Sequence, residues 1–551
     1  MPLPTPQRTD PIFQNAWTRG IITSIPPEEI PNDAAQDLLN VEFDSDSNLV
    51  TRNGTTLFLD TNETGRITSI FRAEYSDGTV WILFTTGTKL YRCTESGGSL
   101  TDITGALTFP SNTIWQWVMF GDFAIGVNQA TSGTNPVKVN AAGTASLLAN
   151  APFSKYCEVW NNRLWLVRAA ATERNSVFAS AINLPEDWTV DDDAGAIQIL
   201  VDPNDGDYIT AIKVFRGSLY VYKRKKINVI SPISAPATIP SNLRVDVYTT
   251  NVGCVSPYTV QNVLDDQVFL ADSGVMSLTL APLGELSGSL LSDNIAQLAI
   301  LKKVSAIKDV VSYVLDDVQQ YLVSFPASVT DSGAPEVWIL DYQKITEKDE
   351  KGFPIVRWVR MSGKVAGTAY SERLDQNYKT YLIAEHDPPS GDTFIYNYQP
   401  ANPVKVFNDN SAAYLQRILT KSYSAQSPLL RRLWHRFGVA FRLISDVLNL
   451  NIRWYFNNSP SPAGNYPIQF TFSGVGLSLY GQAIYGTDTY DSLLSAQQEE
   501  VVWRQFKKSS SGRKARNVAM EFITESEDEG FVLKFVQLEY LQLNQRRART
   551  R

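Results

Sequence analysis

From about Arg66 to Tyr398 short apolar runs alternate with tight polar breaks, and one unit keeps returning: an aromatic or β-branched run, a polar turn, a second apolar run. Seven copies stand out, centred on Trp81, Ile125, Trp165, Tyr220, Phe269, Leu322 and Tyr381. Between the runs stand Asp77-Gly78, Gly121-Asp122, Asn161-Asn162 and Ser273-Gly274, residue pairs that tolerate the positive φ of a hairpin turn. The copies follow one another at roughly 40 to 60 residues, the period of four-stranded propeller blades. A lone hairpin cannot bury its apolar face, whereas blades packed radially can, so the spacing predicts an all-β chain with a β-propeller of six to eight blades over residues 61–400. Two stacked β-sandwiches would also show regular hairpins.

After Pro403 the rhythm lengthens. Ile452, Trp454 and Phe456 share one face of a strand with Arg453 and Tyr455 on the other, and Val518, Met520 and Phe522 repeat the alternation. This predicts an antiparallel sandwich-like domain over 401–551. Within it, 474–494 is rich in glycine, and Tyr480, Tyr485 and Tyr490 recur every five residues, a period of neither helix nor strand. That stretch is predicted to be a loop whose tyrosines bind a partner or tuck against their own domain. Residues 1–60 are Pro-rich and are expected to form an arm, with a short helix from Asp33 to Leu39 leading into a strand and turn.

Composition changes this picture little. Hydrophobic residues are 43% and charged residues 19%, so nothing forces disorder. A net charge of -8 argues against a protein that grips nucleic acid, since phosphate contacts need clustered cations, but leaves room for a surface that DNA slides past. The opening residues lack the apolar stretch of a signal peptide or membrane span, so assembly in a cytoplasm is expected. Cys93, Cys157 and Cys254 read as unpaired core thiols.

Candidate chemistry is sparse. With only His386 and His435, imidazole mechanisms and Cys/His zinc sites have no residues to use, and no nucleophile-base pair or phosphate-binding loop appears. Catalytic, cofactor and metal sites are therefore expected to be absent. Carboxylates cluster at Asp191 to Asp193, at Asp265-Asp266, at Asp316-Asp317 and in the loop from Asp202 to Asp207. Paired carboxylates serve glycosidases, but these sit beside hairpins, where Asp is favoured for local hydrogen bonding. In the last loop Asp202, Asp205 and Asp207 are a weak Ca²⁺ candidate, because Lys213 stands where a calcium loop would place Glu. Basic clusters run Lys223-Arg224-Lys225-Lys226, Arg431-Arg432, Lys507-Lys508 with Arg513 to Arg516, and along the tail. They read as solvated faces or edge protection, or as a contact for DNA or an acidic subunit.

Three segments together resemble the tail nozzle (tail hub, or head-to-tail stabilisation) proteins of short-tailed bacteriophages. The first is Asp33 to Phe58, with an asparagine and a strand before the turn Arg52-Asn53-Gly54; the second is the series of hairpins. The last is Glu499 to Tyr540, where Trp503, Arg504, Gly512, Arg513, Arg516, Asn517, Val518 and Phe531 look like the closing strands. The insertion from Lys344 to Pro354 departs from the pattern. The resemblance implies a structural, non-enzymatic virion subunit forming a hexameric ring below the portal and adaptor. Such a ring closes and then conducts the genome channel, with double-stranded DNA passing without sequence-specific binding and with fibres or spikes attached nearby. The alternative is a propeller that binds or hydrolyses glycans as a receptor-binding tail component, tested at Asp192 and Asp205.

Overall fold

The computed structural model describes residues 11–541 except 112, 170–172, 191–194, 234–241, 280–289, 296–308, 326–335, 345–354, 375–378, 386–391, 403–404, 425–431, 446, 472–498 and 506–513. The described residues are strands joined by turns and short 3-10 turns, and none lies in an α-helix. They divide into two compact units: residues 1–54, 338–362 and 403–551 in one, residues 55–337 and 363–402 in the other.

The second unit is a β-propeller. Its successive antiparallel sheets begin with Ile67–Glu74, Gln116–Phe120, Ser154–Trp160, Ile209–Phe215, Gln261–Val263, Val311–Leu315 and Tyr370–Leu374. Each of these inner strands ends its sheet, and consecutive blades are in contact around the series, four and five through the Pro257–Thr259 turn and a shared core, the last meeting the first again, so the sheets close into a ring of seven blades among the described residues. Four-stranded blades recur because one hairpin buries too little; the apolar faces are sealed by neighbours. Between blades three and four, Trp160, Trp165, Ile212 and Val221 share a cluster, and Phe215, Tyr222, Phe269 and Met276 do the same between blades four and five. Blade seven takes Tyr370–Leu374, Lys379–Ala384 and Asp392–Tyr398 from late in the chain and its outer strand, Thr55–Thr64, from early in it. Leu59 from that strand joins Ile395, Ile67 and Phe84 in the core between blades seven and one. Ring closure is thus a pairing of the two ends of the propeller segment. The hairpins use the turns the sequence marks: Asn161 and Asn162 both take positive φ, as does Gly78.

The first unit is a two-sheet sandwich. One sheet runs Glu499–Gln505, Arg432–Leu443, Phe531–Leu541, Leu49–Thr51, Val41–Phe43; the other contains Arg357–Met361, Ala34–Leu39, Gln416–Thr420, Asn517–Thr524, Val447–Phe456 and Gly464–Thr471. Strand 447–456 alternates strictly, burying Leu448, Leu450, Ile452, Trp454 and Phe456. Across the interior Phe437 meets Trp454 at 5.9 Å and Phe441 meets Phe522 edge-on at 6.3 Å.

Three expectations change here. Residues 34–39 are a strand, paired antiparallel to Gln416–Thr420 and parallel to Gly20–Ile21, where the sequence reading placed a helix. This strand is buried on both faces, with Ala34, Ala35, Asp37 and Leu38 all shielded, so it loses its alternation and Ala34, Ala35 and Leu38 mimic a helical stripe. The first sixty residues are also no separate arm: residues 12–51 supply strands to both sandwich sheets, and 55–64 belong to the propeller. Likewise Trp338–Ser362 lies with the sandwich although it falls inside the predicted propeller range.

Candidate functional site

Where the chain passes between its units, the Arg52-Asn53-Gly54 turn forms a buried latch within the sandwich. Arg52, wholly buried, donates to both carboxylate oxygens of Asp409 (3.0 and 2.6 Å), to Asn40 Oδ1 (3.0 Å) and to the carbonyls of Asn53 and Ser362 (2.7 and 3.1 Å). Its guanidinium lies 3.8 Å from the Tyr414 ring centre, and Tyr414 returns a hydrogen bond to the Arg52 carbonyl. The planar fork suits this bidentate, stacked position as an ammonium would not. Gly54 is required by space: a Cβ there would sit 1.9 Å from the Asn408 carbonyl oxygen. The motif that carries the family resemblance is therefore structural, tying together residues 40, 52–54, 362 and 406–414.

The Asp202 to Asp207 loop and the Lys223 to Lys226 run, separate candidates in the sequence, meet in blade four and neutralise each other. Lys223 Nζ, fully buried, donates to Asp205 Oδ2 (2.7 Å) and to the Asp202 carbonyl (2.8 Å). Lys226 pairs with Asp202 at 2.5 Å, Asn228 donates to the same oxygen, and Asp207 Oδ2 accepts from the Lys225 backbone. Arg224 reaches Asp272 at 3.2 Å. Hydrogen bonding from Lys226 and Asn228 holds Asp202 below the usual carboxylate range. Burial works against ionisation of Asp205, yet Lys223 outweighs it and Asp205 is also lowered. The calcium candidate is thereby corrected: Asp202 and Asp205 are held by ammonium groups and Asp207 by a backbone N–H, and no cluster of metal-ligating residues occurs among the described residues.

The other carboxylate pairs have similar local duties. Asp265 pairs with Arg216 at 2.9 Å, Asp266 accepts from the Thr279 backbone at 3.0 Å, Asp316 pairs with Lys379 at 3.2 Å, and Asp317 accepts from Tyr381. His435 is half-buried in a sandwich strand. Asp191 to Asp193, His386, Tyr480, Tyr485 and Tyr490 lie outside the described residues, as does the 474–494 loop.

Sequence reasoning missed the propeller axis, where a cavity of about 210 Å³ is ringed by residues from six of the seven blades. Trp117 stacks on Phe71 with centroids 6.0 Å apart and donates to Ser69 Oγ; Tyr313 stacks on Tyr370 at 6.3 Å. Lys213 is the one charged side chain in the lining, and Glu158 of the neighbouring blade sits 3.4 Å from its ammonium. Burial pushes the Glu158 carboxyl up, against the pull of Lys213. Tyr258, between blades four and five, reaches past its neighbours to blade two, where its hydroxyl donates to the Ile114 carbonyl at 3.2 Å and accepts from Gln129. A side chain therefore spans part of the bore.

Comparison with known proteins adds the following. No family model matches the chain, and no curated protein matches it. Among solved structures it is similar to the Pan2 WD40 domain of Neurospora crassa (11% identity, TM-score 0.33, 65% of this chain and 97% of that one). It is also similar to PorZ, a surface component of the type-IX secretion system of Porphyromonas gingivalis (13%, TM-score 0.33, 68% and 43%). A third is the extracellular domain of a putative hybrid two-component system of B. thetaiotaomicron (12%, TM-score 0.38, 87% and 62%). These superpositions are loose, and the propeller rests on the chain's own cyclic order of sheets.

Proposed function

We propose that this chain is a structural, non-enzymatic subunit of a phage tail nozzle, assembling as a ring, hexameric by resemblance, that binds a portal or adaptor above and fibres or spikes nearby. The observation that carries the reading is that the opening and closing segments singled out by the resemblance lie together in one sandwich. Leu49 and Val50 pair with Leu533 and Val532, and Ala34–Leu39 is one strand removed from Asn517–Thr524. Between those segments the chain builds the propeller. Further support comes from Asp202, Asp205, Asp265 and Asp316, each of which is paired with a cation.

In this reading the DNA path is the axis of the assembly. The bore of one propeller is too small, because the major groove of a duplex is by itself about 12 Å wide and Tyr258 lies across the opening. Net negative charge suits a conduit that must not hold its cargo. Cryo-electron microscopy of the purified chain, alone and mixed with portal-adaptor complex, tests the proposal. Six-fold rings that dock coaxially are the expected result; a chain that stays monomeric at high concentration and ignores the portal would sink it.

A further inference from the structure

We propose that the axial cavity of the propeller is a binding site for a single uncharged sugar ring, such as the terminal residue of a surface glycan. The argument starts from the wall. Each inner strand pairs on one edge only, so its other edge turns main-chain N–H and C=O groups toward the axis. Alternating donors and acceptors call for a ligand whose groups are both, which is what a polyol offers.

The side chains add to this. The Gln116 amide uses its oxygen to accept from the Cys157 backbone (3.2 Å), which leaves its NH2 to donate. Gln261 donates through its nitrogen to the Ser312 carbonyl (3.2 Å), which leaves its oxygen to accept. The Tyr313 hydroxyl stands between these chemistries as donor or acceptor. Phe71, Trp117, Tyr313 and Tyr370, from the adjoining blades one, two, six and seven, give that arc of the wall apolar surface for the C–H face of a pyranose.

Charge and size set the class. The lone lining cation, Lys213, is turned to Glu158 behind the wall at 3.4 Å, so its charge is offset there and not offered to an acidic sugar. At about 210 Å³ the cavity falls below the roughly 300–1,000 Å³ of drug-sized sites, which fits one ring and excludes an oligosaccharide. Without a lining carboxylate the site binds and does not hydrolyse.

Saturation-transfer NMR on the full chain with methyl glycosides of glucose, galactose and N-acetylglucosamine, and with sialic acid, tests this. At least one neutral glycoside should receive saturation and sialic acid should not. In Tyr313→Phe, which keeps the ring and its stacking, transfer to that glycoside should fall several-fold with the melting temperature unchanged. The proposal is overturned if no neutral glycoside receives saturation, if sialic acid receives more than they do, or if Tyr313→Phe binds as well as the parent. Ring assembly is read by microscopy, so either proposal can fail alone.

Discussion

Arg52 shows how one side chain can hold distant parts of the chain. Its guanidinium and Asp409 are both buried, so removing the cation leaves a buried carboxylate without its bidentate counter-charge. Arg52→Ala should therefore cost about 3–5 kcal/mol, the usual range for breaking a buried pair. Arg52→Lys should also destabilise, because an ammonium cannot bridge both Asp409 oxygens while stacking on Tyr414. Urea unfolding of the variants measures this; a loss under about 1 kcal/mol for Arg52→Ala would contradict the latch.

The blade-four ion cluster predicts a pH response. Asp202 and Asp205 have folded pKa values below their ordinary ones, so they stabilise the fold above the unfolded carboxylate pKa of about 4 and cease to as pH falls through the lower folded values. Melting temperature should fall on acidification below about pH 4. Asp205→Asn should be less stable than the parent at neutral pH and should flatten that acid limb; an identical limb in both proteins would refute the assignment. The thiols behave oppositely. Burial pushes Cys93 and Cys254 up to about 12, which suits core residues that stay inert at neutral pH.

For the elements, the outer strand of blade seven carries the sharpest consequence. Leu59 enters the core between blades seven and one, whereas Leu57, two residues earlier, is 44% exposed. Leu59→Ala should cost about 2–3 kcal/mol, through lost transfer energy and the cavity left behind, while Leu57→Ala should change stability by less than about 0.5 kcal/mol. Thermal melts of the two variants compare them directly, and equal effects would argue against closure of the ring by strand 55–64. The repeats were highly legible at this scale. All seven centres read from the sequence, Trp81, Ile125, Trp165, Tyr220, Phe269, Leu322 and Tyr381, fall on the second strand of successive blades. That strand has both faces covered by the blades on either side, so it is a nearly continuous apolar run in each blade. The same physics misled the reading at 34–39, where a doubly buried strand lacked its alternation.

For the whole molecule, charge distribution predicts indifference to nucleic acid. The net charge is -8, and Lys223, Arg224 and Lys226, in the run that most suggests a phosphate contact, face Asp205, Asp272 and Asp202. In a gel-shift titration at physiological salt the chain should leave duplex DNA unretarded, and a salt-dependent shift at micromolar protein would show a basic surface that these pairs do not neutralise. What the sequence determined by itself was local: turn residues, strand alternation and the repeat period, all set by neighbours a few positions away. From these the all-β class, the propeller and the alternation in the sandwich strands followed. Only the tertiary structure decided which free edge each early strand would take, how Arg52 meets Asp409, that two oppositely charged motifs cancel, and that an axial cavity exists. Those outcomes depend on pairings between residues up to several hundred positions apart, and an unpaired edge or a buried charge accepts whichever partner the folded chain brings within reach.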